Sequence, residues 1–302
     1  MATVPAQDGI WNGQRVGVGR RTWLKAAAAL AVGAAGAWGF WGGEPVAETG
    51  AVGAALSHVA ETSDKVRGQE AIELCRKYFS DARANLSQIS TLSAVFQKQE
   101  RINDKLQPLN VMDLKVRKVP LSIYMQWQVP DAGQQVLWLD GAHDGKMVVS
   151  PAGWKRKLMP MVKIAPDDDM AKAVSRRPIT NIGIWNFTER LAALVEEECL
   201  KDPTVAVAMT RGHEISGRPC SLFTFEHAKP SEVVQFKQVQ IFFDETLGAP
   251  IACEHYRWSG PKGAEVAHLE ESYLYKNLTF NVDLKDADFD HTNPALKFGV
   301  MK

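Results

Sequence analysis

The sequence predicts an α+β fold: a strongly curved antiparallel sheet of about ten strands, a half-open barrel, covered by helices. Three observations carry this. An amphipathic helix opens the folded part, runs of alternating apolar and polar residues follow it, and one helical stretch interrupts them midway. So many strands in one meander cannot stay flat, and a sheet that curls has a concave apolar face in need of cover. The helical pieces supply that cover, and the space between sheet and helix is a common setting for a binding site.

The first helix lies in GQEAIELCRKYFSDARANLSQIS, from Gly68 to Ser90, where Ile72, Cys75, Phe79, Ala82 and Leu86 share a stripe. The period then changes to two. Leu92, Ala94 and Phe96 alternate with Ser93, Val95 and Gln97, and Met112, Leu114 and Val116 with Asp113, Lys115 and Arg117. Ile123, Met125 and Trp127 likewise alternate with Tyr124, Gln126 and Gln128, as in a half-buried antiparallel sheet. QQVLWLDG and GKMVVSP add two strands around turns at Asp140-Gly141 and Asp144-Gly145, and GWKRKLMP reads as a further strand or a loop.

A helical insert follows at about residues 166–201. Asp167, Asp168 and Asp169 suit the start of a helix that runs to Pro178. Ile184, Phe187, Leu191 and Leu194 form a second apolar stripe, ended by Pro203. Five strands close the chain: TVAVAMTRGHEI, CSLFTFEHA, VVQFKQVQIFFDE, APIACEHYRWS and VAHLEESYLYKNLTFN. Turn chemistry such as Ser216-Gly217, Leu247-Gly248 and Pro261-Lys262-Gly263 separates them. Residues 66–302 therefore read as one domain, and residues 1–65 as a signal or signal-anchor with a linker.

Arg20 and Arg21, followed by Thr22, Trp23, Leu24 and Lys25, resemble a bacterial twin-arginine export signal. The 18 residues from Ala26 to Gly43 hold eight Ala and five Gly, weakly apolar for a spanning helix. Trp38, Phe40 and Trp41 at its far end suit a membrane interface. Two outcomes stay open: cleavage after Ala47 or Ala54, or inner-membrane association through residues 24–43. Both place the domain in the periplasm, with the export machinery as a partner.

Thirty-five basic and 35 acidic residues cancel. With Arg15, Arg20, Arg21 and Lys25 set aside against Asp8 and Glu44, 31 basic and 33 acidic residues remain, a balance that offers no overall electrostatic footprint for nucleic acid or anionic lipid. The four cysteines form no C-x-x-C pair. Cys220 and Cys253 fall on strands two apart, roughly 9–10 Å, beyond disulfide reach. Cys75 and Cys199 pair only if their helices pack side by side. There is no G-x-S-x-G, H-E-x-x-H or Walker loop, and His213, His227, His255 and His268 scatter over separate predicted strands. No catalytic residue, cofactor or metal site is expected.

ISTLSAVFQKQER, following an amphipathic helix, resembles the S-F-x-A-x-F-x-Q opening of the periplasmic outer-membrane lipoprotein carriers. DLKVRKVPLSIYMQW is similar to their next hairpin, QQVLWLDGAHDGKMVVSP to their S-D-G-K-x-L-W hairpin, and DADFDHTNPAL to their closing segment. The whole chain, including SRRPITNIGIWNF, resembles still more closely an exported bacterial family of unknown function. The resemblance implies a lipoprotein-carrier-like half barrel that holds a lipid, an acyl chain or a lipidated protein without catalysis. On that reading Phe96, Met125, Trp127, Trp138, Phe225, Ile241 and Phe243 line the ligand site, and Trp185, Phe187, Leu191 and Leu194 form its lid. Arg117 or Lys118 takes the place of the carriers' lid-controlling Arg. The alternative is a structural or interaction module of the envelope with a filled core and no ligand.

Overall fold

The computed structural model describes residues 50–53, 55–58, 65–159, 161–258 and 267–298. Arg20, Arg21 and residues 24–43, read above as signal or anchor, lie outside them. Among the described residues no helix is long and apolar enough to cross a membrane.

Among the described residues fourteen strands form one antiparallel sheet. The short strands β1 (Leu56–His58) and β2 (Lys65–Arg67) precede helix α1 (Gln69–Ser87). Then come β3 (Thr91–Ile102), β4 (Lys105–Leu106), β5 (Asn110–Arg117), β6 (Ser122–Val129), β7 (Gln135–Leu139) and β8 (Met147–Ser150). Helix α2 (Gly153–Leu158), strand β9 (Val162–Ile164), the single turn α3 (Asp169–Lys172) and helix α4 (Ile184–Glu197) occupy the middle. The chain finishes with β10 (Ala206–Ile215), β11 (Arg218–Glu226), β12 (Gln238–Asp244), β13 (Ala249–Trp258) and β14 (Ala267–Phe280).

The order across the sheet is β1-β10-β11-β12-β13-β14-β3-β5-β6-β7-β8-β9, with β2 on β10 and β4 on β3. Two meanders therefore meet at a seam where β14 pairs with β3, Tyr273 opposite Lys98 and Glu271 opposite Glu100. The outermost strands do not pair with each other, so the curl stays open. The excess over the expected ten strands consists of short pieces, β1, β2, β4 and β9, each too brief to show a period.

Two local expectations are corrected. GWKRKLMP is neither strand nor loop but the helix α2. Buried Arg156 sets its geometry, donating from Nε to the Pro151 carbonyl at 2.8 Å and from a terminal nitrogen to the Gly133 carbonyl. The helix begun by the Asp run also stops at Lys172 and does not continue to Pro178. Asp168 caps it by accepting from the Met170 N–H at 2.9 Å, and the chain then runs as a strap through residues 175–182 that holds one 3-10 turn, Ile179–Asn181. A proline disfavours helical geometry at the residue before it, so Pro178 opposes continuation of the helix through Arg177.

Helices α1 and α4 lie side by side on the inner face, joined at their exposed edges by Arg76–Glu196 at 2.7 Å and Arg83–Glu189 at 2.8 Å. Beneath them Phe79 meets Phe243 edge-on at 5.0 Å, Tyr78 meets Phe223 at 5.2 Å, and Phe187 meets Tyr275 at 5.3 Å. Trp185 closes the seam by donating its indole N–H to the Leu86 carbonyl at 3.0 Å. Gly183 turns the strap into α4 at φ +112°, a conformation closed to other residues. On the outer face Phe289 and Phe298 of the C-terminal segment cover Tyr124, Leu137 and Val148.

Cys75 lies on α1 and Cys199 on the 3-10 turn just after α4, and all four cysteines are free and buried. Burial pushes the Cys199, Cys220 and Cys253 thiols up to about 12, so they behave as apolar core groups. Replacing Phe243 with Ala empties a fully buried ring site shared with Phe79, Tyr78 and Phe223. Urea unfolding should show a loss of about 3–5 kcal/mol.

Candidate functional site: a cavity with a charged end

Residues i, i+2 and i+4 of a strand share a face, and along β3 that face changes character within five residues, from Phe96 through Lys98 to Glu100. Across the seam β14 repeats the change, from Tyr275 through Tyr273 to Glu271. Helices α1 and α4 cover the apolar inner face mainly over β10 and β13, with Trp185 at the start of α4 reaching towards β5. Under the strap and α3 that face stays open as a cavity of about 250 Å³. Phe96, Met112, Met125, Trp127, Val136, Met147, Val149 and Ile164 form its sheet wall, and Met170, Ala171, Ile179 and Ile182 its cover. Lys98, Glu100, Arg176, Arg177 and Tyr273 form its charged end.

At that end one buried carboxylate gathers the partners. Glu271 is fully buried and accepts from Arg177 at 2.7 Å, from Arg176 Nε at 3.2 Å and from His255 Nδ1 at 2.8 Å, with Arg190 3.6 Å away. Tyr273 donates to Glu100 at 2.5 Å and lies 3.3 Å from Glu271. Glu100 also takes Lys98 at 2.9 Å and the backbone N–H of Arg176 at 3.3 Å. The pairing of β13 with β14 skips one residue between Glu271 and Leu269. Glu270, the extra residue of that bulge, meets Arg176 at 2.5 Å. The strap is thus latched to the sheet through three buried carboxylates.

Burial opposes ionisation of Glu271, but the His255 hydrogen bond and the Arg177 and Arg190 charges outweigh it and hold the carboxyl well below its usual range. Burial pushes His255 down, against the pull of Glu271. His255 is therefore neutral at pH 7, donating from Nδ1 and leaving Nε2 buried without a hydrogen-bond partner. Burial raises the Tyr273 hydroxyl, with Glu271 and Glu100 adding to the effect, so it remains a donor.

Of the residues singled out from sequence, Phe96, Met125 and Trp127 line this cavity. Trp138 lies in the same core but not on the cavity wall, and Phe225, Ile241 and Phe243 sit in the filled half of the core. Trp185, Phe187, Leu191 and Leu194 are buried on α4, also away from the cavity, which is covered by α3 and the strap. Arg117 is on the outer face, bonded to Ser122 Oγ at 3.0 Å and stacked 5.1 Å from the Phe289 ring. Lys118 stacks 5.5 Å from the Trp185 ring. His213, His227 and His255 are kept apart, bonded respectively to Thr210, Asp202 and Glu271. Among the described residues no group of three His, Cys, Asp or Glu is arranged to hold a metal.

The chain belongs to the family described as protein of unknown function DUF1571, whose model matches residues 89–298. No curated protein matches it. Its fold is similar to a putative outer membrane lipoprotein-sorting protein domain from Vibrio parahaemolyticus, at 11% identity and TM-score 0.34 over 73% of this chain and 97% of that one. It is similar also to lipoprotein LppX of Mycobacterium tuberculosis, at 8% identity and TM-score 0.38 over 74% of this chain and 100% of that one. The Pseudomonas aeruginosa MucA/MucB complex matches at 15% identity and TM-score 0.36, over 73% of this chain and 60% of that one. The family of unknown function and the lipoprotein-sorting neighbour are the likenesses that the sequence motifs indicated.

Glu271→Gln keeps the shape but leaves three arginines facing a neutral group. Urea unfolding at pH 7 should show a loss of about 3–5 kcal/mol. The pH dependence follows from the two directions. The folded state holds His255 below its ordinary 6.5, so the unfolded chain binds its proton first, and stability falls as pH drops below 6.5. Glu271 is held below its ordinary 4.5, so its contribution is present above 4.5 and lost as pH falls further. Below pH 6.5 the wild type should therefore lose stability through His255, by at most about 1.4 kcal/mol per pH unit. In His255→Asn that upper slope should vanish while the acid limb below 4.5 remains.

Proposed function

We propose that this DUF1571 protein is an exported carrier or sensor that binds a hydrophobic ligand (a lipid, an acyl chain or a lipidated protein segment) and performs no catalysis. The observation that carries this reading is a hollow in one half of the inner face whose walls are mostly apolar, with Asn110, Asp131, Gln134, Asp167 and Lys172 among them and an ion network at one end. At about 250 Å³ it lies just below the roughly 300–1,000 Å³ of small-molecule sites, which suits one acyl chain better than a whole two-chain lipid. The site residues on this reading are Phe96, Met112, Met125, Trp127, Val136 and Ala171, with Arg176 and Arg177 holding the strap that covers them. The basic side chains at the charged end suit the polar head of an amphiphile. Residues 66–302 are the exported domain, delivered to the periplasm by the signal or anchor in residues 1–65.

Native mass spectrometry of protein purified from cells should show a co-purifying acyl species. Ala171→Phe, which fills the cavity from its cover, should remove it and leave the fold intact. In competition against a fluorescent fatty acid, affinity should rise about fourfold per added methylene and level off once the cavity is full. A protein that carries no lipid and takes up fatty acids of every length equally poorly is the filled-core envelope module instead. Replacing Arg20 and Arg21 with Lys should keep the protein in the cytoplasmic fraction. Unchanged delivery to the periplasm would remove the twin-arginine reading.

A further inference from the structure

Helix α2 carries an exposed apolar face that the fold does not use. Among the described residues six large apolar side chains are exposed, and three of them, Trp154 (68% exposed), Leu158 (76%) and Met161 (45%), fall within eight positions. Trp154 and Leu158 stand one turn apart, so they share a face. They are held outward. Arg156, between them in sequence, is buried and fixes the helix through the Pro151 and Gly133 carbonyls. An apolar pair displayed on a short helix, with its orientation set by an internal arginine, is a built surface and not a frayed loop.

Charge selects the occupant. In a chain with zero formal charge, residues 145–166 carry five basic and no acidic residues. Setting buried Arg156 aside, Lys155 and Lys157 flank the apolar pair, and Lys163 lies exposed just beyond Met161. A second copy would bring the same positive face and be repelled. Residues 1–49 hold four basic and three acidic residues, so they supply no complementary charge. Tryptophan and leucine ringed by lysine match what lies in the headgroup layer of an anionic bilayer.

We propose that the α2 face, through Trp154, Leu158, Met161 and the flanking lysines, docks the protein on an anionic lipid surface. The face adjoins the cavity, because Met147 and Val149 before α2 and Ile164 after it line the cavity wall. Docking therefore brings the hollow half of the sheet to the bilayer. The docking itself does not depend on what the cavity holds.

Hydrogen exchange of the full chain, read peptide by peptide, tests this with phosphatidylcholine vesicles made with and without phosphatidylglycerol. Amides of residues 153–159 should slow only with the anionic vesicles, and high salt should reverse the effect. Trp154→Ser with Leu158→Ser should abolish that protection. Both side chains are solvent-exposed, so the fold should be unaffected. Lys155→Gln with Lys157→Gln should weaken vesicle binding about 30-fold, from about fivefold per lost charge. The proposal is overturned if the chain binds vesicles while exchange at 153–159 is unchanged, as an N-terminal anchor acting alone would give. Equal protection by neutral vesicles overturns it too, as does protection that appears without lipid on raising protein concentration or adding a protein partner. Ala171→Phe separates the two readings, since it blocks the cavity and should leave docking intact.

Discussion

The Glu271 carboxylate is the interaction on which the rest of the site depends. It is a full charge with no solvent contact, on the inner face of the strand that joins the two meanders. Removing such a charge from water costs several kcal/mol, and its partners return that only through close geometry. The arginines that compensate it come from two separate elements, Arg176 and Arg177 on the strap and Arg190 on α4. The strap cannot shift without withdrawing Arg176 and Arg177 from these buried carboxylates. The network therefore contributes position more than stability, because an apolar replacement could pack equally well but would not require one placement of the strap.

That placement divides the inner face. Helices α1 and α4 lie over β10–β14, where large aromatic rings meet edge to face and leave no room. The strands β5–β9 receive only a single turn of helix and a strap. Methionine, valine and alanine line much of that half, and the cover is too thin to send bulky side chains down to them. One sheet thus has a filled half and a hollow half, with the boundary where Phe96 gives way to Lys98 and Glu100. The outer face needs no such device, since Phe289 and Phe298 close it with the chain's own C-terminal segment.

The parts legible in the sequence are those where a period repeats. Alternation in Leu92–Phe96, Met112–Val116 and Ile123–Trp127 located three strands and their inner faces, and the stripe from Ile72 to Leu86 located α1. The same logic could not separate cavity from core. Phe96 and Phe243 occupy equivalent alternating positions, and only the cover above them differs. The charged end was illegible for another reason. Glu271 and His255 stand 16 residues apart in sequence on separate predicted strands, where no local spacing marks them as partners. The one local signal was the paired arginine before proline in SRRPITNIGIWNF, and its meaning depends on carboxylates about 75 and 95 residues away. Helix α2 escaped because six residues are too few to show a helical period, and its geometry rests on the carbonyl of Gly133, 23 residues earlier.

The hollow half carries an energetic cost. Apolar volume left unfilled forfeits about 24 cal/mol per Å³, so a dry hollow of about 250 Å³ represents a loss on the order of 6 kcal/mol. Typical domains are stable by only about 5–15 kcal/mol, so a loss of that size would rarely be tolerated without return. The openings beside the strap admit water and reduce the figure, but water gains little from walls of Met, Val and Ile. A chain that places Phe and Tyr rings over the neighbouring strands has the means to fill this space, and at Ala171 it places a methyl group. Occupation by an apolar guest restores the missing contacts without disturbing the latch, because guest and latch meet only at Lys98, Glu100, Tyr273 and the two strap arginines. The hollow and the buried charges are therefore one arrangement: the ion network holds open a space that packing alone would close.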